Sequence, residues 1–159
     1  MGLIIKDRIK KFIVGYPTVS DKYNASGAIL TGENPVVFGD LVGFSSTKGY
    51  FEKLTSVTKA EDVAGIVLAT NVKLNLLWPE GNVFTMPGEA FNLLVNGFMA
   101  VRLDTGAQEA KVLANAQVYV TPQATLTTES ASNFALPNTV FTGEVEKQGE
   151  TLVAEIYIK

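Results

Sequence analysis

From Ala28 onward the 159-residue chain breaks into short runs of β-branched, aromatic or alternating apolar residues, each closed by a turn signal. The runs are AILTG, PVVFGDLVGF, GYFEKLTSV, AGIVLAT, NVFTM, FNLLVNGFMAVRL, AQVYVT, TVFTGEV and TLVAEIYIK. Between them stand TGEN, TKG, PEG, MPGE, DTG, LPN and KQGE. A period of two puts successive side chains on opposite faces, which suits a strand and not a helix. Many short strands at near-regular spacing predict an all-β fold, a single β-barrel or sandwich-like domain. Helix is minor. Thr58 and Glu61 in TKAED have the spacing of a capping box, and AQEAKVL allows one further turn.

Asn96-Gly97 admits two readings. Between apolar runs it is a hairpin signal. Alternatively, one long strand bends at the glycine, because the phase of Leu93, Val95, Phe98 and Ala100 shifts by one there, as a bulge would shift it.

The order of the pieces repeats. VFGDLVGF (37–44) aligns with LANAQVYV (113–120), VAGIV (63–67) with FTGEV (141–145), and PGEAFNLLV (87–95) with QGETLVAEI (148–156). The pattern divides a β-domain over 28–159 into two similar halves, 28–103 and 104–159. The first half carries an insertion, TNVKLNLLWPEGNVFTM, with Trp78-Pro79 outside the repeat. Gly39-Asp40 reads as a tight turn before a core strand. Gly39 supplies backbone freedom, and the Asp40 carboxylate is placed to accept from a nearby amide.

The first 27 residues read as an extended N-terminal arm and loop. Lys6, Arg8, Lys10 and Lys11 against Asp7 give the first fourteen residues a net charge of +3 on a chain of −3. Ile5, Ile9, Phe12 and Ile13 fall on one face at helical spacing. GYPTVSDKYNASG, which follows, is rich in Gly, Pro, Asn and Ser, the composition of a loop. The segment reads either as an arm that docks on a partner or as a piece closing one end of the core.

Whole classes of chemistry are absent from the composition. There is no His and no Cys, which removes the usual general base, every Ser-His or Cys-His arrangement, disulfides and Cys-based zinc sites. No nucleotide- or phosphate-binding glycine motif occurs. No catalytic residue, cofactor site or metal site is expected. Four cations with no interleaved aromatic make a poor nucleic-acid footprint. No apolar run reaches the ~18 residues that span a bilayer, and the start is not a secretory signal. Charged residues are 18% of the chain, against about 25% for an average soluble domain. Either a partner covers part of the surface, or the low charge is the ordinary economy of a β fold.

Other candidate sites have bland readings. Glu61-Asp62, Glu80 and Glu144/Glu146 read as surface charge rather than glycosidase carboxylates. Trp78 with Tyr50 and Phe51 reads as packing or a subunit contact, or else as an aromatic sugar platform. Asp40, Asp62 and Asp104 would ligate Ca²⁺ only if the fold brought them together.

The succession GYPTVSDKY (15–23), NPVVFGDLVGF, EDVAGIVLAT, PGEAFNLLVNGFMAVRLD, ANAQVYV, VFTGEVEK and ETLVAEIYI resembles the tailed-phage structural cement proteins, also described as capsid decoration or head auxiliary proteins. The likeness spans about residues 15–159. It departs from the family pattern at Asn115-Ala116, where a glycine-containing turn is favoured, and NLLWPEG has no place in it. The resemblance implies a non-enzymatic β-rich protein on the virion capsid exterior, assembled in the host cytoplasm. It would bind the major capsid protein and stabilise contacts between coat subunits, with no nucleic-acid or membrane partner. Self-association is expected, a trimer first and a dimer next. The expected partner interface is Ile5, Arg8, Ile9, Lys11, Phe12, Ile13, Tyr16, Pro17 and Trp78. The alternative function is a carbohydrate- or receptor-binding β-module of a fibre or surface assembly.

Overall fold

Nine strands form one hydrogen-bonded sheet in the computed structural model, which describes residues 12–18, 23–69 and 85–159. They are β1 (Tyr23–Thr31), β2 (Leu41–Phe44), β3 (Tyr50–Lys53), β4 (Gly65–Leu68), β5 (Ala90–Arg102), β6 (Gln117–Val120), β7 (Leu126–Thr127), β8 (Phe134–Gln148) and β9 (Thr151–Ile158). Their order is β1-β3-β2-β4-β5-β9-β8-β6-β7, with a further pairing of β1 to β5. That last pairing closes β1, β3, β2, β4 and β5 into a ring. On the other side, Leu103 bridges Leu126, and Asp104 N donates to Leu126 O at 2.8 Å. The end of β5 thereby meets β7 and nearly closes β9, β8, β6 and β7 into a second ring. The fold is all-β and sandwich-like rather than one clean barrel.

β5 is shared by both rings. Its first part pairs with β1 and β4 and its second part with β9. Asn96-Gly97 therefore lies inside one strand and is not a hairpin. Asn24 pairs with Asn96 and Ala25 with Leu94, so Val95 is the extra residue of a bulge, and Gly97 takes φ +119. Bulge and glycine together bend the strand from one ring into the other. Phe91 and Leu93 pack with Ala28, Leu30, Val36, Val42 and Val67 in the first core. Met99, Val101 and Leu103 pack with Val118, Val120, Phe141 and Ile156 in the larger second core.

The two turns aligned in the sequence have one geometry. Asp40 N donates to Val37 O (3.1 Å), Gly39 N to Val67 O (2.8 Å) and Val67 N to Asp40 O (2.9 Å). Ala116 N donates to Leu113 O (3.0 Å), Asn115 N to Phe141 O (2.9 Å) and Phe141 N to Ala116 O (2.8 Å). Gly39 sits at φ +89 and Asn115 at φ +65. Asn is among the few residues besides Gly that adopt this region readily. The Asp40 carboxylate accepts from Val37 N at 2.9 Å and pairs with Lys53 at 3.0 Å.

Two local expectations change in detail. The LPN stretch lies within β8, where it interrupts the β6 ladder between Gln117 and Tyr119. The Gln117 carboxamide fills the gap, donating to Leu136 O (2.7 Å), Val118 O (2.8 Å) and Thr139 O (3.2 Å). The turn at Ala60–Asp62 is a single 3-10 turn, and its acceptor is Asp62 rather than Glu61. Asp62 Oδ2 receives the N–H of Thr58 (2.8 Å), the N–H of Lys59 (3.1 Å) and the Thr58 hydroxyl (2.8 Å).

The β-structure extends to the N-terminal side of residue 28. β1 begins at Tyr23, because the backbone of β5 extends far enough to pair with it. Residues 12–18 also lie on the sheet. Pro17 bridges Met99, Gly15 N donates to Ala100 O (2.8 Å), Ala100 N to Tyr16 O (3.2 Å) and Thr18 N to Phe98 O (3.2 Å). Gly15 is at φ +81, and a Cβ there would strike Phe38 Cβ and lie 2.8 Å from Gly39 N. Residues 1–11, 19–22 and, within the insertion, 70–84 lie outside the described residues.

Gly15→Ala should therefore lower stability by about 1–3 kcal/mol or more, since overpacking adds to a disfavoured φ. A thermal melt checks this; an unchanged melt would show that residues 12–18 do not belong to the folded unit. The Asp62 carboxyl is held below the usual carboxylate range, first by the Thr58 N–H and then by the Thr58 hydroxyl. Its stabilising effect is present above the unfolded pKa of about 3.9 and is lost as pH falls through the lower folded value. Melts between neutral and strongly acidic pH should fall off less steeply below about pH 4 for Asp62→Asn than for the parent chain.

Candidate interaction surfaces

The expected interface residues separate in the structure. Phe12 is a core residue, 4% exposed, packed on Ala100 and Val153 with Val14 beside it. Its N–H donates to Glu146 Oε2 (3.1 Å), and its carbonyl accepts from Gln148 Nε2 (2.7 Å). The Phe12 ring is covered by the chain itself. The helical spacing that grouped Phe12 with Ile13 does not apply, because the chain turns here, with Tyr16 N donating to Ile13 O at 3.1 Å. Ile13 points outward and is 60% exposed. Tyr16 is half-buried and meets Phe38 edge-on at 6.0 Å. Desolvation raises its phenol pKa. Pro17 is half-buried beside Met99. Ile5, Arg8, Ile9, Lys11 and Trp78 lie outside the described residues.

The other candidate groups have structural roles or stay apart. Asp40 and Asp62 each tie down a turn, and among the described residues no group of three metal-ligating side chains occurs. Phe51 packs on Phe91 (6.4 Å, edge-on) and on Phe44 (5.8 Å), so its ring belongs to the wall of the first ring. Glu129 accepts from Lys111 Nζ at 2.6 Å and from the Thr128 hydroxyl at 3.0 Å, and the lysine contact is the main reason its carboxyl pKa is lowered. Among the described residues no helix is long and apolar enough to cross a membrane.

Among the described residues, large apolar side chains exposed on the surface are Ile13, Tyr23, Phe44, Tyr50, Met86, Val95 and Leu113. Sequence pattern alone did not select most of them, because a strand's alternation does not say which face a partner will cover. Four of them fall at two places along β1: Tyr23 and Val95 near its start, Tyr50 and Phe44 near its end. Tyr23 and Val95 flank the β1/β5 pairing at the bulge, Tyr50 pairs with Ile29, and Phe44 pairs with Phe51.

A family model described as structural cement protein (E217 gp24/Pam3 gp6) matches residues 5–158. The chain belongs to the phage structural cement protein family. The family's role is structural, within phage capsids. A chain of the solved structure described as "The capsid of Myoviridae Phage XM1" is similar in fold, with a TM-score of 0.68 at 15% identity. The likeness covers 97% of this chain and 95% of that one. No curated protein matches the sequence.

The division between Phe12 and Ile13 can be tested directly. Phe12→Ala should cost about 3–5 kcal/mol as a large-to-small core change. Ile13→Ala should stay within about 0.5 kcal/mol, as for a surface site. Denaturant unfolding measures both, and equal effects would refute the placement of the two side chains.

Proposed function

We propose that this protein binds the outside of an assembled phage capsid, contacts the major capsid protein and stabilises contacts between coat subunits without carrying out chemistry. The observation that carries this reading is the family match over nearly the whole chain. The complete absence of His and Cys accords with a non-enzymatic role. Assembly would take place in the host cytoplasm, with copies associating with one another on the shell. The contact with coat would draw on the basic N-terminal residues, with net charge +3 through residue 14, and on exposed Ile13. Cations of this kind aid steering and register more than affinity, so their effect should fade with salt.

The test uses heads that lack the protein. Because Phe12 and Val14 are packed on the sheet, deleting residues 1–11 should leave the fold intact and weaken decoration, most at low salt. Deleting residues 1–14 should lower the melting temperature as well. Binding is read by co-sedimentation with heads. Undiminished decoration by the 1–11 deletion would remove the segment from the contact, and failure of the full chain to bind any head would remove the capsid reading itself.

A further inference from the structure

Among the described residues, one edge of the sheet carries no partner. β1 pairs with β5 along Tyr23–Ile29 on one side, but with β3 only along Ile29–Thr31 on the other. Tyr23–Gly27 are all exposed. The direction of their backbone groups follows from the neighbouring bonds. Leu30 N donates to Glu89 O, toward β5, whereas Ile29 N donates to Gly49 O, toward β3. Alternation along a strand then turns Asn24, Ser26 and Ala28 toward β5 and leaves Tyr23, Ala25 and Gly27 facing outward.

Protected edges carry lysine, proline or inward-pointing charge. This one, Tyr-Asn-Ala-Ser-Gly, has none of them. Its side chains are small between Tyr23 and Ala28, and a Cβ built on Gly27 would meet nothing within 4 Å.

We propose that this edge pairs with the same edge of a second copy across a two-fold axis, antiparallel and centred on Ala25. The register satisfies every outward group: Ala25 faces Ala25, and Tyr23 faces Gly27 in both directions. Tyr23, Ala25 and Gly27 share one face of the strand. Each Tyr23 ring therefore covers the bare Gly27 backbone opposite, a favourable pairing of an aromatic with a strand glycine. Two chains of net charge −3 can approach here because the window brings no charged residue to the contact. The window is five residues long because β3 occupies the same side from Ile29 onward. So short a contact falls below the ~1,200–2,000 Å² that holds a free-standing pair together. It therefore forms where copies are concentrated, on one shell or at high concentration in solution, and the shell arm of its test rests on the capsid reading. A contact of this symmetry makes pairs; three copies cannot close it.

The chain has no cysteine, so Ala25→Cys introduces a single thiol. Facing residues of a hydrogen-bonded antiparallel pair have Cα atoms about 5.5 Å apart, inside the range a disulfide spans. Full-length Ala25→Cys bound to heads and mildly oxidised should run as a covalent dimer. Leu113→Cys, also exposed and in the loop before β6, should not. Adding Gly27→Pro to Ala25→Cys removes an outward N–H that no internal bond uses. It should leave the melt unchanged and abolish the cross-link. The proposal is overturned if Ala25→Cys cross-links no better than Leu113→Cys, or if the Gly27→Pro double variant still folds and cross-links. It is also overturned if hydrogen exchange shows the Ala25 and Gly27 amides protected on heads without a cross-link, since the edge is then taken by coat. Should the parent chain fail to bind heads, the capsid reading falls, and the same cross-link is scored in concentrated solution. Its presence there upholds the pairing and its absence refutes it.

Discussion

Everything in this fold hangs on the backbone of β5. Its first residues bond to β1 and β4, its last to β9, and residues 15–18 lie along it beside the start of β1. A thirteen-residue strand with one phase would present one face to one core. The bulge at Val95 and the positive φ of Gly97 change that phase. Phe91 and Leu93 then fill one core, while Met99, Val101 and Leu103 fill the other. Leu94, just before the bulge, already faces that second core, and the change of phase turns Met99, Val101 and Leu103 to the same side.

Around β5 the remaining strands are arranged with internal symmetry. Matching β2, β3, β4 and β5 to β6, β7, β8 and β9 leaves the order β3-β2-β4-β5-β9-β8-β6-β7 the same from either end. The turns before β2 and β6 share their hydrogen bonds although one uses Gly39 and the other Asn115. Two different residues fill one backbone requirement, a left-handed φ. β5 belongs to both rings, so no cut at 103/104 separates them.

Strands with apolar alternation were legible in the sequence, because burial of one face writes itself into the residues. Tyr23–Gly27 could not be read that way. Those five residues bury nothing and are a strand only because β5 offers a partner. Phe134–Asn138 was hidden by Pro137, and Leu126-Thr127 by brevity. The N-terminal segment was hard to read for a different reason. Its apolar spacing fits a helix as counted, but the backbone at Phe12–Pro17 is not helical, so Phe12 turns inward and Ile13 outward. The cement family was legible from the order of turns and strands. The surface that makes contacts was not, since a face waiting for a partner obeys the same alternation as one facing water.

Sharing one strand between two rings also has a mechanical consequence. β5 and β9 run antiparallel through six paired residues, from Gly97 with Ile158 to Arg102 with Val153. A load that draws the two rings apart along the strand direction acts on those bonds together, in shear, and is carried between the rings by covalent backbone through Gly97. No flexible linker intervenes to stretch first. A molecule joined in this way transmits force along one continuous strand rather than across a hinge.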